Sequence, residues 1–294
     1  MMQKDIPNIE FNAKKPNNSG IEILTIEDLV ARKDLAKDHH PEKAHQVAFN
    51  MIVYYTEGET KQLVDFVWHP VKKNTIIHIS KGQINAFQFT KGLKGYILLF
   101  TDLYLQKQIN TLPKNEIERL FNAHLFSPII QVPEDSNVLS YFDLFYEEYT
   151  NSKEDYNQEN TYKSLHSIIF SKLERLKQYQ TFHLKQTDKL ETFLQFKSLL
   201  EAHYKSSRNA DFYADKLNIT YKHLNTICKS TVGVTAKQFI DQFLVLEAKR
   251  LLVNSDIKST ELAYNLGFEE PTNFVKYFKK HTGFTPNSFK KEYI

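Results

Sequence analysis

The stretch IKSTELAYNLGFEEPTNFVKYFKKHTGFTP, residues 257–286, has a looser copy of itself upstream, in ADFYADKLNITYKHLNTICKSTVGVTA at residues 210–236. Ala263 and Leu266 match Ala214 and Leu217 at an offset of 49 residues. Beyond them the offset is 50: Phe274 matches Leu224, Tyr277-Phe278 match Ile227-Cys228, Lys279 matches Lys229, Gly283 matches Gly233 and Thr285 matches Thr235. The added residue falls in a turn, Gly267-Phe268-Glu269-Glu270 against Asn218-Ile219-Thr220. Each copy therefore reads as a short helix, a tight turn and a second helix. A small Ala lets the two helices cross closely, and Leu217 or Leu266 plugs their shared core. Thr220 and Thr272 stand where a residue caps or opens the second helix. Gly233, Gly267 and Gly283 fall at expected helix ends, where a left-handed residue closes a helix without a Cβ clash.

A helix-turn-helix sets its second helix in the major groove of DNA. Helical spacing over 221–231 puts Leu224, Ile227 and Cys228 on a buried face and leaves Lys222, His223, Asn225, Thr226 and Lys229 outside. Over 272–281 it buries Phe274, Tyr277 and Phe278 and leaves Thr272, Asn273, Lys276, Lys279 and Lys280 outside. Cationic and amide side chains are what groove readout and phosphate contact require. A charged face on an ordinary helical hairpin is the plainer explanation of one copy; two copies in register, each closed by Gly-x-Thr, argue against it. Between them residues 236–253 read as one helix, roughly 27 Å long at helical rise. With its flanking helices it could hold two reading heads about one DNA turn apart, roughly 34 Å.

Outward from the repeat, further helices are expected over 189–206 and 287–293. The region from 185 to 294 carries 17 Lys+Arg and 12 Asp+Glu, a net of +5, while the first 184 residues carry 21 and 23, a net of −2. The whole-chain value of +3 hides this split. Basic charge gathered in one region suits an anionic partner such as nucleic acid. Only five of the 38 basic residues are arginine.

The first half has a different period. Residues 47–55, 63–68, 75–79, 84–90 and 96–100 are rich in β-branched and aromatic residues. Gly58, Gly82, Gly92 and Gly95 lie between them, as in a sandwich or small barrel. Residues 1–20 read as a loose tail, and 103–126 as helical or mixed. From 138 to 179 apolar residues return at spacings of three and four, giving two amphipathic helices. These pack on their own domain or join two copies of the chain. Residues 181–188 read as a linker. The fold expected is α+β in two domains: a loose tail (1–20), a barrel or sandwich (21–136), a helical dimerisation and linker region (137–184), and an all-α domain (185–294) with helix-turn-helix pairs at 211–231 and 259–281 joined by a long helix.

With 294 residues, 41% hydrophobic and 25% charged, the chain belongs with ordinary globular proteins. No apolar run approaches the roughly 18 residues of a membrane helix, and the polar N-terminus has no apolar signal core. A lone cysteine, Cys228, fits a reducing cytoplasm. Its spacing puts it on a buried face, so core packing is favoured over redox sensing.

The order Ala263, Gly267-Phe268, Phe278-Lys-Lys280 and Gly283-Phe-Thr-Pro286 resembles the signature of the AraC/XylS family of transcription regulators, over about residues 189–292. The resemblance implies a regulator binding double-stranded DNA as a dimer through the helices of 138–179, with RNA polymerase as a further partner and no cofactor. It implies base-facing Lys222, Asn225 and Thr226 in the first copy and Thr272, Asn273 and Lys276 in the second. Thr220, Lys229, Lys279 and Lys280 would steady phosphates. Cys228 stands where the family commonly has phenylalanine. Thr226 and Lys276 stand where it usually has arginine, and threonine cannot make a bidentate pair with guanine. The N-terminal half is similar to the family's cupin-like sensor domain, which implies a small effector inside the barrel. His45, Trp68, Gln83, Phe87 and Tyr96 are candidate pocket residues, offering aromatic walls and a few polar contacts.

Two rivals bear on the same half. A cupin metalloenzyme needs two or three His and a carboxylate converging from neighbouring strands. His39, His40, His45, His69 and His78 are present, but not in a His-x-His pattern with a following Glu, so no metal and no catalytic residues are expected. A regulator without ligand needs a barrel fully packed by side chains. Phosphate loops, nucleophile elbows and Cys-x-x-Cys pairs do not occur.

Overall fold

The computed structural model describes residues 6–12, 20–33, 40–108, 127–151, 156–180, 187–255 and 257–293. It divides into two compact units, Pro7–Gln180 and Met1–Ile6 with Thr181–Ile294. Of the expected features, His39, most of 103–126 and the stretch 181–186 lie outside the described residues.

The first unit contains β1 (Asn8–Ile9), β2 (Ile21–Thr25), α1 (Ile26–Lys33), β3 (His45–Val47), β4 (Asn50–Glu57), β5 (Thr60–Val64), β6 (Val67–Val71), β7 (Thr75–Ile79), β8 (Ile84–Ala86), β9 (Lys94–Phe100), α2 (Asp102–Gln108), β10 (Ile129–Gln131), α3 (Val138–Asn151) and α4 (Gln158–Gln180). Two five-stranded sheets form, in the orders β1-β3-β8-β5-β6 and β10-β7-β4-β9-β2. Side chains alternate across each strand, so the second sheet has two apolar faces. Met51, Val53, Ile77 and Ile97 pack toward the first sheet, with Val47, Val64 and Phe87. Ile52, Tyr54, Ile76, Leu98 and Phe100 pack outward, against Phe142, Phe145 and Tyr149 of α3 and Leu165, Ile169 and Phe170 of α4. The unit thus has three layers, and α3 and α4 belong to it rather than to a separate region.

Three expectations on the strands are corrected. The stretch 63–68 is a hairpin, β5–β6, whose turn holds Asp65 and Phe66 at φ 47° and 69°. The stretch 47–55 is broken between β3 and β4. The tail is not loose at residues 8–9, where β1 pairs parallel to β3. Gly95 answers a close approach: a Cβ there would lie 2.0 Å from the Tyr54 carbonyl oxygen.

The second unit is helical: α5 (Thr187–His203), α6 (Ala210–Lys216), α7 (Tyr221–Val232), α8 (Ala236–Asn254), α9 (Ser259–Asn265), α10 (Pro271–Thr282) and α11 (Pro286–Tyr293). α8 runs through its middle, burying Phe239, Ile240, Phe243, Leu244, Ala248 and Leu252. Ile6 also belongs here, its N–H donating to the Val253 carbonyl at 2.9 Å. No helix among the described residues is long and apolar enough to cross a membrane.

Candidate functional site

The first helix-turn-helix opens at Asn209, whose side chain accepts the Asp211 N–H at 3.1 Å. α6 ends at Leu217, and Asn218 turns the chain with φ 54°. Thr220 then caps α7, its hydroxyl oxygen accepting the His223 N–H at 3.1 Å. Leu224, Ile227 and Cys228 are buried, and burial pushes the Cys228 thiol up to about 12, so it stays protonated and unreactive at neutral pH. Gly233, at φ 76°, closes the helix. In the second copy Gly267 takes the place of Asn218, at φ 74°. Glu270 is the N-cap of α10 and Pro271 fills its first position, so Thr272 lies inside the first turn and does not cap. Phe274 and Phe278 are buried. Tyr277 is half-buried and donates its hydroxyl to Asp241 Oδ1 at 2.8 Å, tying α10 to α8; burial and that carboxylate push the phenol pKa up.

Lys222, His223, Thr226 and Lys229 stand exposed on α7, and Thr272, Asn273, Lys276, Lys279 and Lys280 on α10. Among the described residues none of these five lysines has a carboxylate partner. Unpaired ammonium groups along the second helix of each motif can displace counterions from phosphates without breaking an ion pair. Two expected reading residues are engaged within the domain. Asn225 is half-buried and its Oδ1 accepts the Ala236 N–H at 2.9 Å, which engages one of the two lone pairs of the oxygen that adenine readout would use. Thr226 returns its hydroxyl to the Lys222 carbonyl at 3.0 Å. Sequence spacing shows which face a residue occupies, not whether an internal partner already holds it.

In the barrel unit a cavity of about 260 Å³ lies between the sheets beside α1. His45 and Phe87 line it, with Leu24, Val47, Phe49, Met51, Ile97 and Leu99. Trp68, Gln83 and Tyr96 do not. Trp68 is exposed on the edge strand β6, with Lys61 Nζ 5.0 Å from its ring. Gln83 joins two turns, accepting from the Ser80 N–H and donating to Asp65, both at 2.7 Å. Tyr96 faces the other side of β9, where it stacks near Phe142 and donates to Asp143 at 2.8 Å.

Sequence reading missed the polar parts of this interior. Glu22, buried on β2, pairs with Arg32 of α1 at 2.7 Å, and both line the cavity. A buried chain of hydrogen bonds runs to His45: Tyr55 hydroxyl to Gln62 Oε1 (2.7 Å), Gln62 Nε2 to Asn85 Oδ1 (2.8 Å), and Asn85 Nδ2 to His45 Nε2 (3.2 Å). The Lys43 carbonyl, 2.9 Å from His45 Nδ1, can only accept. The proton therefore sits on Nδ1 and Nε2 accepts. Asn85, a lone amide between Ile84 and Ala86, was the available signal; Gln62 follows Thr60 and Lys61 and does not stand out. Among the described residues no three His, Cys, Asp or Glu gather as metal ligands would.

Residues 213–292 match the family model described as a helix-turn-helix domain. The chain is 30% identical over 98 residues to the Msm operon regulatory protein of Streptococcus mutans, and 25% over 92 residues to the transcriptional activator RhaS of Escherichia coli. The chain carries a helix-turn-helix domain over residues 213–292. The alignments cover 33% and 31% of this chain and 35% and 33% of those relatives, so the chain spans about a third of the length of the curated relatives it matches. Among solved structures, ToxT from Vibrio cholerae is similar with a TM-score of 0.46 at 14% identity, covering 92% of this chain and 97% of that one. The C-terminal domain of the response regulator yesN from Fusobacterium nucleatum is similar with a TM-score of 0.31 at 26% identity, covering 32% and 93%. In this domain α7 and α10 are the second helices of the two motifs, the elements a helix-turn-helix presents to a major groove.

Proposed function

We propose that this chain is a DNA-binding transcription regulator that acts as a dimer and responds to a small molecule held in its barrel. The observation that carries the reading is the pair of motifs in register, each presenting on its second helix exposed lysines that have no carboxylate partner among the described residues. Lys222, Thr226, Thr272, Asn273 and Lys276 face the bases, and Lys229, Lys279 and Lys280, with the N-terminus of α7 at Thr220, hold phosphates. Asn225 leaves the base-facing group because its carbonyl is committed to Ala236. Few arginines and many lysines make phosphate attraction the larger share of affinity. The cavity supports the ligand reading: its walls are apolar, with Arg32, Glu22 and His45 as orienting groups. Leu144 on α3 and Ile168 on α4 stay exposed after these helices cover the sheet, and they support a dimer contact there. Selection of bound duplexes from a random pool by the full chain tests the central reading. Enrichment of one sequence is expected, with affinity falling steeply as salt rises. Failure to enrich any duplex overturns it.

A further inference from the structure

We propose that Arg208 is a positioning residue that fixes the spacing of the two reading helices, so that the chain accepts one separation between the two parts of its DNA site. This rests on the DNA-binding reading. Arg208 lies in the connection between α5 and α6, ahead of the first motif. Its guanidinium carbon lies 3.8 Å from the centroid of the Phe268 ring, and Nη2 donates to the Gly267 carbonyl at 3.3 Å. Both partners belong to the turn of the second motif.

The contact leads rigidly to each head. Phe268 is buried and packs on Phe274 and Tyr277 of α10, each ring 5.4 Å away. On the other side, the Tyr213 hydroxyl of α6 donates to the Ser207 carbonyl at 2.8 Å, and Asn209 caps α6. The approach leaves no slack, since a Cβ on Gly267 would lie 1.9 Å from the Lys205 carbonyl oxygen. Without this brace the reading helices would be related through α8, which holds α7 by the Asn225–Ala236 bond and α10 by the Tyr277–Asp241 bond. Arg208 joins the segment that leads into the first head to the turn of the second. A planar cation that stacks on a ring while its fork reaches a carbonyl is a task for arginine and not for lysine. Its Nη1 is shut away from solvent, as fits a brace and not a phosphate contact.

The test uses full-length protein and the duplex selected from the random pool, with one base pair inserted or removed between its two parts. Each step shifts one part by roughly 3.4 Å and 35°. The wild type should lose on the order of 30-fold in affinity, as when one head's base contacts are lost. Arg208→Lys and Phe268→Leu should cut that penalty to about 3-fold, with the slope of log affinity against log salt unchanged. Phe268→Leu keeps the turn apolar and leaves the guanidinium in place, so it stands if the Arg208 variant folds poorly. A wild type indifferent to spacing overturns the inference, as do two variants with the wild-type penalty. So does an Arg208→Ala variant whose salt slope falls by about 1 while Arg208→Lys retains it, which marks a phosphate contact. A pool yielding no enriched duplex at all overturns the DNA-binding reading instead, and this inference with it.

Discussion

Asn225 and Asn273 occupy comparable faces of α7 and α10, yet their amides have different work. Asn273 is exposed, whereas Asn225 Oδ1 satisfies the Ala236 N–H at the start of α8. Removing the acceptor leaves a helix N-terminal donor without its partner, at a cost of about 1 kcal/mol. Asn225→Ala should lower the unfolding free energy measured in urea by that amount, while Asn225→Asp, which keeps an acceptor, should not. Asn273→Ala should leave stability within about 0.5 kcal/mol, as exposed substitutions do, and change the base preference in the selection experiment. If Asn225→Ala alters preference without loss of stability, the assignments are reversed. The sequence reading separated the two faces of each helix but treated both asparagines alike. The partner that distinguishes them is 11 residues away and enters only with the fold. The same limit applies to Thr226 and to Tyr277, whose hydroxyl was not foreseen as an anchor.

At the scale of elements, the helices of the second unit were legible because apolar spacing, caps and glycine joints agree there. α7 was expected at 221–231 and runs Tyr221–Val232; α8 was expected at 236–253 and runs Ala236–Asn254. The barrel strands were less legible. β4 is buried at six successive positions, Asn50 to Tyr55, and β7 along its whole length. A strand covered on both faces gives a continuous apolar run, so the sequence does not say which parity points inward. Tyr96, a candidate pocket residue, faces the helices instead. The helix covering that outer face, α4, carries His166 in full burial, with its ring 4.1 Å from Phe170 and 4.9 Å from Phe100, and neither nitrogen has a hydrogen-bond partner among the described residues. Burial holds its pKa down to about 3 against an ordinary 6.5. The unfolded chain therefore takes up a proton below pH 6.5 that the folded chain refuses until about pH 3, and stability falls as pH falls through this window. The loss should reach about 2 kcal/mol at pH 5. In chemical denaturation at pH 7.5 and 5, His166→Phe should remove that part of the pH dependence. An unchanged pH dependence would show that His166 is reached by water or a donor.

For the whole molecule, charge decides how affinity depends on salt. The first 184 residues carry a net −2 and add no long-range pull toward DNA, so attraction comes from the helical third at +5. Five exposed lysines, Lys222, Lys229, Lys276, Lys279 and Lys280, stand on the two reading helices without carboxylate partners among the described residues. If each neutralises one phosphate, one chain has a slope of log affinity against log salt near about −4.5, and two chains bound together near about −9. The proposed dimer thus has a signature that needs no interface structure. On a duplex carrying two copies of the selected site, the full chain should give the steeper slope, and on a duplex with one copy the shallower one. A slope near −4.5 on both would mean that each chain binds DNA by itself, and that the apolar residues left exposed on α3 and α4 do not join two copies.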